Sequence, residues 1–108
     1  MSGACWVTRA DRARWQRQAA AELAAILAGC GGLPLIAWTV GAAGGLTGQV
    51  PGAGGRAAFT AWQRALAMDE VAETAVAGGT WLRARSWRGG VRVTVTVTVP
   101  GGDAAVTW

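Results

Sequence analysis

Residues Thr80–Val99 read Thr-Trp-Leu-Arg-Ala-Arg-Ser-Trp-Arg-Gly-Gly-Val-Arg-Val-Thr-Val-Thr-Val-Thr-Val. Two runs of alternating side chains meet at Gly89-Gly90, and glycine tolerates the positive φ angles of a tight turn. We therefore predict a β-hairpin in which Arg88 lies opposite Val91. A shift of the pairing by one residue would move every valine to the other face, so the valine period favours this register.

This register gives the hairpin two chemically different faces. The inner face is small and apolar, with Thr80, Leu82, Ala84 and Ser86 opposite Val99, Val97, Val95 and Val93. The outer face is aromatic and basic, with Trp81, Arg83, Arg85 and Trp87 opposite Thr98, Thr96, Thr94 and Arg92. The inner face is suited to a hydrophobic core. We refer to Trp81, Arg83, Arg85, Trp87 and Arg92 as the Trp/Arg face, and it is the candidate partner-binding surface.

A long helix is predicted near the N-terminus. Thr8-Arg-Ala-Asp11 is a variant of the capping box, with Thr8 as the N-cap residue. Apolar residues then recur at helical spacing, namely Trp15, Ala19, Leu23, Ile26 and Cys30. The glycines from 29 to 32 end the helix, and Pro34 prevents it from resuming.

The middle of the chain predicts a second, shorter hairpin. Residues Leu35–Val40 are rich in β-formers, and residues Leu46–Val50 alternate as a strand. Between them, Gly41–Gly45 supplies a five-residue loop. Pro51–Gly55 is a cluster of helix and strand breakers that separates the two halves of the domain.

A second helix is predicted over Arg56–Met68. Phe59, Trp62 and Leu66 lie on one face of it, with Ala58 and Ala65 beside them. The acidic cluster that follows opposes the helix dipole, so the helix should stop near Met68. Residues 69–79 are expected to form a connection into the C-terminal hairpin.

These elements follow in the order α-β-β-α-β-β within one domain, residues 1–108. Amphipathic helices need an apolar sheet face to cover, and the valine face supplies one. The predicted fold is therefore an α+β two-layer sandwich with both helices on one face of a mostly antiparallel four-stranded sheet. Residues 1–7 and 100–108 are expected to be loosely held.

Four sequence features together carry a resemblance. They are Leu33-Pro34 before Trp38-Thr39-Val40, Leu46-x-Gly48-x-Val50, the Ala-Phe-Thr-Ala-Trp helix and the Arg-Gly-Gly-Val-Arg-Val hairpin. Over residues 20–99 this combination resembles a group of small uncharacterised actinobacterial proteins. The resemblance implies a bacterial, cytoplasmic setting and brings no activity with it.

Composition narrows the classes of function. The chain is 52% hydrophobic and 15% charged, as expected of a globular domain. Its net charge of +4 and its pI of about 11.1 permit an anionic partner. All ten basic residues are arginine, however, and a GC-rich genome explains that bias equally well.

The sequence argues against catalysis and against a metal or cofactor site. His, Lys and Tyr are absent, which removes the commonest general bases and Schiff-base chemistry. Asp69, Glu70 and Glu73 form an acidic cluster that we interpret as solvated. Cys5 and Cys30 are predicted to bracket a helix of about 30 Å, too far apart for a disulfide. We expect both to be free thiols in a reducing cytoplasm.

No charged residue occurs between residues 23 and 55, a length that could cross a bilayer. Repeated glycines and Pro34 interrupt this stretch, and the breaks would leave backbone groups unpaired in lipid. We therefore expect no membrane span, and the polar, arginine-rich start of the chain does not resemble a signal peptide.

Seven tryptophans are many for a chain of this length. Trp15, Trp38 and Trp62 fall on predicted core faces, whereas Trp6 and Trp108 lie near the ends and are not assigned. Only Trp81 and Trp87 are predicted to point away from the core.

Three interpretations of the Trp/Arg face remain open. It can bind a protein partner or a second copy of the chain, because Trp and Arg are enriched at interface cores. It can bind single-stranded nucleic acid by stacking bases and contacting phosphates. It can also be a self-contained ladder in which Arg83 and Arg85 pack on Trp81 and Trp87 by cation–π contact. The first is the predicted function: a non-enzymatic interaction domain.

Overall fold

The structure is a computed structural model and describes residues 7–51 and 55–100. Those residues form two helices and one five-stranded sheet, so the predicted α+β class is confirmed. In chain order the elements are α1 (Arg9–Gly29), β1 (Ala37–Val40), β2 (Leu46–Gln49), α2 (Gly55–Ala65), β3 (Glu70–Val76), β4 (Gly79–Arg88) and β5 (Val91–Pro100). The expectations for residues 1–6 and 101–108, including Cys5, Trp6 and Trp108, fall outside the described residues.

The strand order is β1-β2-β5-β4-β3, which places β5, the last of the described strands along the chain, at the centre of the sheet. The predicted hairpin is confirmed, because β4 and β5 pair antiparallel with Arg88 opposite Val91. The N-terminal hairpin is also confirmed, with Val40 opposite Leu46. The two hairpins join through a parallel pairing of β2 with β5, in which Leu46 lies opposite Val93.

The predicted four-stranded sheet and the order α-β-β-α-β-β are wrong in detail, because residues 69–79 contain a fifth strand. β3 pairs antiparallel with β4 over seven residue pairs, from Glu70 opposite Arg85 to Val76 opposite Gly79. Six of its seven side chains are exposed, so neither face carries an apolar alternation. Glu and Ala are also depleted in strands. Pairing with β4, rather than local propensity, makes this segment a strand.

The valine face lies in the core, as predicted. Val93 and Val95 are completely buried between the neighbouring strands and the helices. α1 contributes Ala19 and Ile26 to the same apolar cluster, with Leu23 half-buried against it. α2 contributes Phe59, Trp62 and Leu66. Both helices therefore cover the inner face, and neither packs on the outer one.

Trp62 anchors α2 to the segment that precedes β1. Its Nε1 donates a hydrogen bond to the Pro34 carbonyl oxygen over 2.8 Å. Its ring meets that of Trp38 edge to face, with centroids 5.5 Å apart. α2 ends at Ala65, three residues before the predicted Met68. Ala67 turns the chain there with a φ of 51°, and Met68 enters the core.

The capping box predicted for α1 is present. The Thr8 hydroxyl accepts a hydrogen bond from the Asp11 backbone N–H, at 3.0 Å. In return the Thr8 N–H donates to the Asp11 carboxylate, at 3.1 Å. That backbone hydrogen bond is the main reason why the pKa of Asp11 is lowered, and the nearby Arg14 guanidinium adds to it.

Replacing Thr8 with Ala is expected to lower the free energy of unfolding by about 1 kcal/mol, because a first-turn N–H loses its acceptor. Thr8→Ser keeps the oxygen and serves as the control in chemical denaturation at neutral pH. The pKa of Asp11 is lowered from 3.8 in the folded chain. The Asp11 carboxylate therefore stabilises the fold above pH 3.8, and this stabilisation is lost as the pH falls through the folded-state pKa. Equal stability of the Ala and Ser variants would contradict the capping role.

Among the described residues, neither helix combines the length and the apolar character that crossing a membrane requires. The first half of α1 carries four arginines, Arg9, Arg12, Arg14 and Arg17.

Candidate functional site

The structure brings the five predicted site residues to one face of the sheet. Trp81, Arg83, Arg85 and Trp87 alternate along β4 with the buried Leu82 and Ala84. Arg92 lies on β5 directly opposite Trp87. Side chains two apart on a strand share a face, so all five point away from the core. The face is a stripe, because its two tryptophans stand six residues apart, or about 20 Å.

Trp87 and Arg92 form the end of the stripe nearest the hairpin turn. The Arg92 guanidinium carbon lies 5.1 Å from the centroid of the Trp87 ring, within cation–π range. Even with this contact, Trp87 remains 66% exposed. A depression of about 280 Å³ adjoins the pair, and its floor and walls include Gly44, Gly45 and Gly90. Small residues here leave room beside an exposed indole.

Trp81 and Arg83 form the other end of the stripe. The Arg83 guanidinium carbon lies 5.0 Å from the Trp81 ring centroid, and both side chains are half-buried. Trp81 also lines a shallow depression of about 530 Å³ that reaches across β5 to β2. Gln49, Thr96 and Thr98 supply its polar groups. This end therefore offers an aromatic wall and hydrogen-bonding side chains.

Arg85 sits between the two Trp–Arg pairs and is neutralised. Its guanidinium forms an ion pair with the carboxylate of Glu70, which lies opposite it on β3. Arg85 therefore does not make the tryptophan contact that the self-contained ladder assigns to it, and Arg92 takes that place on Trp87. The sequence missed this partner because β3 itself was not predicted. The sequence feature that points to this partner is Glu70, an acidic residue at the start of a strand-length segment that runs up to Gly78-Gly79.

The turn of the hairpin is held by α1. The Gln18 side-chain nitrogen donates to the Gly89 carbonyl oxygen over 2.8 Å. The Arg88 guanidinium lies 3.4 Å from the carboxylate of Glu22. The loop between β1 and β2 is close as well, since Gly44 packs directly against the α1 backbone at Trp15. These contacts fix the position of Trp87 and Arg92.

The cationic character of the face is smaller than the sequence indicates. Arg85 and Arg88 are each paired with a carboxylate. Arg83 and Arg92 have no carboxylate partner among the described residues, and their guanidinium groups lie over indole rings. Two arginines of the hairpin thus remain available to a partner.

The other candidate residues are not assembled into a site. Glu73 pairs with Arg56 at 3.8 Å, so the acidic residues of β3 act in ion pairs. Cys30 is a half-buried free thiol at the C-cap of α1. In the described parts of the chain, no three metal-ligating side chains lie together.

Comparisons of the chain with protein-family models, with curated proteins and with solved structures give no match. The residues of the Trp/Arg face are therefore the features of this chain that point to a function.

Proposed function

We propose that this chain is a non-enzymatic interaction domain of the bacterial cytoplasm that binds a protein on its Trp/Arg face. The observation that carries the proposal is the exposure of Trp87, which is 66% accessible on a sheet face that neither helix covers. Complete burial of a large apolar side chain contributes about 1.5–3 kcal/mol of favourable free energy, and an indole exposed to water does not make this contribution. Binding of a protein would recover that free energy.

The self-contained ladder does not account for this exposure. The cation–π contacts that are present on this face, at 5.0 and 5.1 Å, involve one side chain per ring. At exposed sites such contacts contribute about 0.5–1 kcal/mol, and they leave most of the Trp87 surface in water. The same pairs would order the indoles before binding, which lowers the entropy lost on association.

The geometry also indicates the chemistry of the partner. Trp87 and the adjoining depression of about 280 Å³ suit an apolar or aromatic side chain. Arg83 and Arg92 suit carboxylates or backbone carbonyl oxygens at the rim of the contact. A second copy of the chain and a different protein both meet these requirements, and oligomeric state separates them.

Charge favours a protein over single-stranded nucleic acid. Nucleic-acid affinity arises largely from basic residues that neutralise phosphates. Glu70 and Glu22 already neutralise Arg85 and Arg88, which leaves two arginines of the hairpin for phosphates. Stacking of bases on Trp81 and Trp87 remains the observation that would favour a nucleic acid.

The test compares Trp87→Ala with Leu35→Ala in affinity capture from the native host. Leu35 is 93% exposed, so its variant removes an exposed apolar side chain outside the Trp/Arg face. We expect Trp87→Ala to lose a captured protein that the parent and Leu35→Ala both retain. The affinity of Trp87→Ala for that protein should fall tenfold or more, because truncation of a hot-spot residue costs about 2 kcal/mol of binding free energy. Retention of every captured protein by Trp87→Ala would contradict the proposal.

A titration with single-stranded oligonucleotide separates the nucleic-acid alternative. If that alternative holds, binding weakens steeply as salt is raised, and Arg83→Ala flattens the dependence. We expect no such salt-dependent binding. A steep salt dependence of oligonucleotide binding that Arg83→Ala flattens would show that the partner of this face is a nucleic acid and not a protein.

A further inference from the structure

β3 presents a free backbone edge. It is the last strand in the sheet order, and among the described residues only β4 pairs with it. Proteins commonly protect such edges with charged side chains, proline, a bulge or a very short strand. β3 has seven residues without Pro, its register with β4 is unbroken, and its two charged side chains, Glu70 and Glu73, are each paired with an arginine of the same chain. The opposite edge strand, β1, has only four residues.

The β3–β4 turn determines which backbone groups are free. In a hairpin with two turn residues, the flanking residues exchange both backbone hydrogen bonds, and the pattern then alternates. Val76 and Gly79 are the flanking pair here. The N–H and C=O groups of Glu70, Ala72, Thr74 and Val76 therefore point to β4. Those of Val71, Glu73 and Ala75 point outward from the sheet.

The side chains of β3 are compatible with contact to another strand. Val71 and Val76 are 43% and 40% exposed, one on each face of the sheet. Glu73 is balanced by Arg56 on the inner face, and Glu70 by Arg85 on the outer face. The edge thus offers apolar side chains and internally compensated charges.

We propose that β3 pairs antiparallel with β3 of a second copy, with Thr74 on the twofold axis. A twofold axis normal to the sheet keeps inner-face residues opposite inner-face residues. A pairing centred on Glu73 would set two carboxylates directly opposite each other, which is unfavourable. Centring on Thr74 instead places Glu73 opposite the partner's Ala75, and Ala72 opposite the partner's Val76.

This register makes the edge complementary to itself. The outward N–H and C=O groups of Glu73 and Ala75 meet those of the second copy, and two threonines face each other on the axis. The same surface is used twice, as in a twofold dimer. The product is one continuous sheet in which each copy supplies its five strands.

The proposed seam does not involve the Trp/Arg face. Both outer faces would lie on the same side of the joined sheet, with the two β4 strands three strand spacings apart, or about 14 Å. A partner could then contact two Trp/Arg faces at once. The dimer and the protein-binding face are separate proposals and can fail separately.

The first test measures mass in solution by light scattering over a range of concentrations. We expect a dimer for the parent and for Trp87→Ala, and for Ala75→Pro a monomer whose unfolding temperature falls only by the stabilisation that dimerisation supplied. Proline is tolerated at an edge where the missing N–H faced solvent. Thr74→Pro is the matched control, because it removes a hydrogen bond to β4 and should lower the unfolding temperature.

The second test is oxidative cross-linking, with linked peptides mapped by mass spectrometry. In the proposed register, Thr74→Cys sets two thiols on a pair with Cα atoms about 4.5 Å apart, within disulfide reach. In the same register, Ala72→Cys places the two introduced thiols four residues apart along the strands, or about 13 Å, which is too far for a disulfide. We expect a disulfide through position 74 between two copies of the Thr74→Cys variant. Two copies of the Ala72→Cys variant should form no such link through position 72.

Several results would overturn the proposal. A parent chain that is monomeric at every concentration would do so. A dimer that survives in Ala75→Pro but is lost in Trp87→Ala would move the interface to the Trp/Arg face. Equal cross-linking of the two cysteine variants would refute the register.

Discussion

Replacement of Val95 by Asp is expected to abolish folding. Val95 is fully buried on the central strand, opposite Ala84 on one side and Gly48 on the other. An unpaired carboxylate there would lose its hydration, at a cost of several kcal/mol. Domains of this size have only about 5–15 kcal/mol of stability in total. Circular dichroism and thermal unfolding should show no cooperative transition.

The matched control is Thr98→Asp on the same strand. Thr98 is exposed on the outer face, so its carboxylate stays in water. We expect the free energy of unfolding of this variant to lie within about 0.5 kcal/mol of the parent's, because most surface substitutions have effects of this size. A Val95→Asp chain with a normal unfolding transition would contradict the assignment of the valine face to the core.

The second large effect is expected at Gly44. Its φ is 87°, a conformation that costs a residue with a side chain about 1–2 kcal/mol. A Cβ at this position would lie 2.6 Å from the Trp15 Cβ and 3.0 Å from the Trp15 carbonyl oxygen. These atoms belong to the α1 framework, so the helix itself would have to shift. We expect Gly44→Ala to lower the free energy of unfolding by about 2–5 kcal/mol in total.

Gly78→Ala separates the two contributions. Gly78 has a similar φ of 80°, but a Cβ there meets nothing within 4 Å. Its variant should therefore show only the conformational cost, about 1–2 kcal/mol. Denaturant titrations of the two variants give the difference, which measures the contact between the β1–β2 loop and α1. Equal losses would mean that this contact contributes nothing.

The parts of the fold that the sequence predicts are those with a strong local signal. The alternation of valine around Gly89-Gly90 gives both the hairpin and its register. The pairing of Thr8 with Asp11 marks the start of α1. In each case the side-chain period or the capping chemistry agrees with the final packing, so local and tertiary preferences coincide.

The parts that the sequence does not predict depend on distant pairing. β3 is exposed on both faces, so no hydrophobic period marks it. The parallel contact of β2 with β5 joins segments on either side of α2, β3 and β4. No turn residue or periodicity encodes such a contact, because parallel strands need a long crossover connection.

The candidate site divides in the same way. The register alone places Trp81, Arg83, Arg85, Trp87 and Arg92 on one face. The partner of each arginine depends on neighbouring strands and helices. Arg85 pairs with Glu70, and Arg88 with Glu22 on α1. The net charge of the face therefore follows from tertiary structure and cannot be counted from its own residues.

The central position of β5 also bears on synthesis of the chain. During synthesis the N-terminal hairpin and α2 leave the ribosome before Val91 does, yet within the described residues β2 joins the C-terminal hairpin only through β5. Until then the apolar sides of α1, α2 and β2 lack the valines that cover them. Folding must await the final strand, and nascent chains halted before it should remain open to proteases and chaperones.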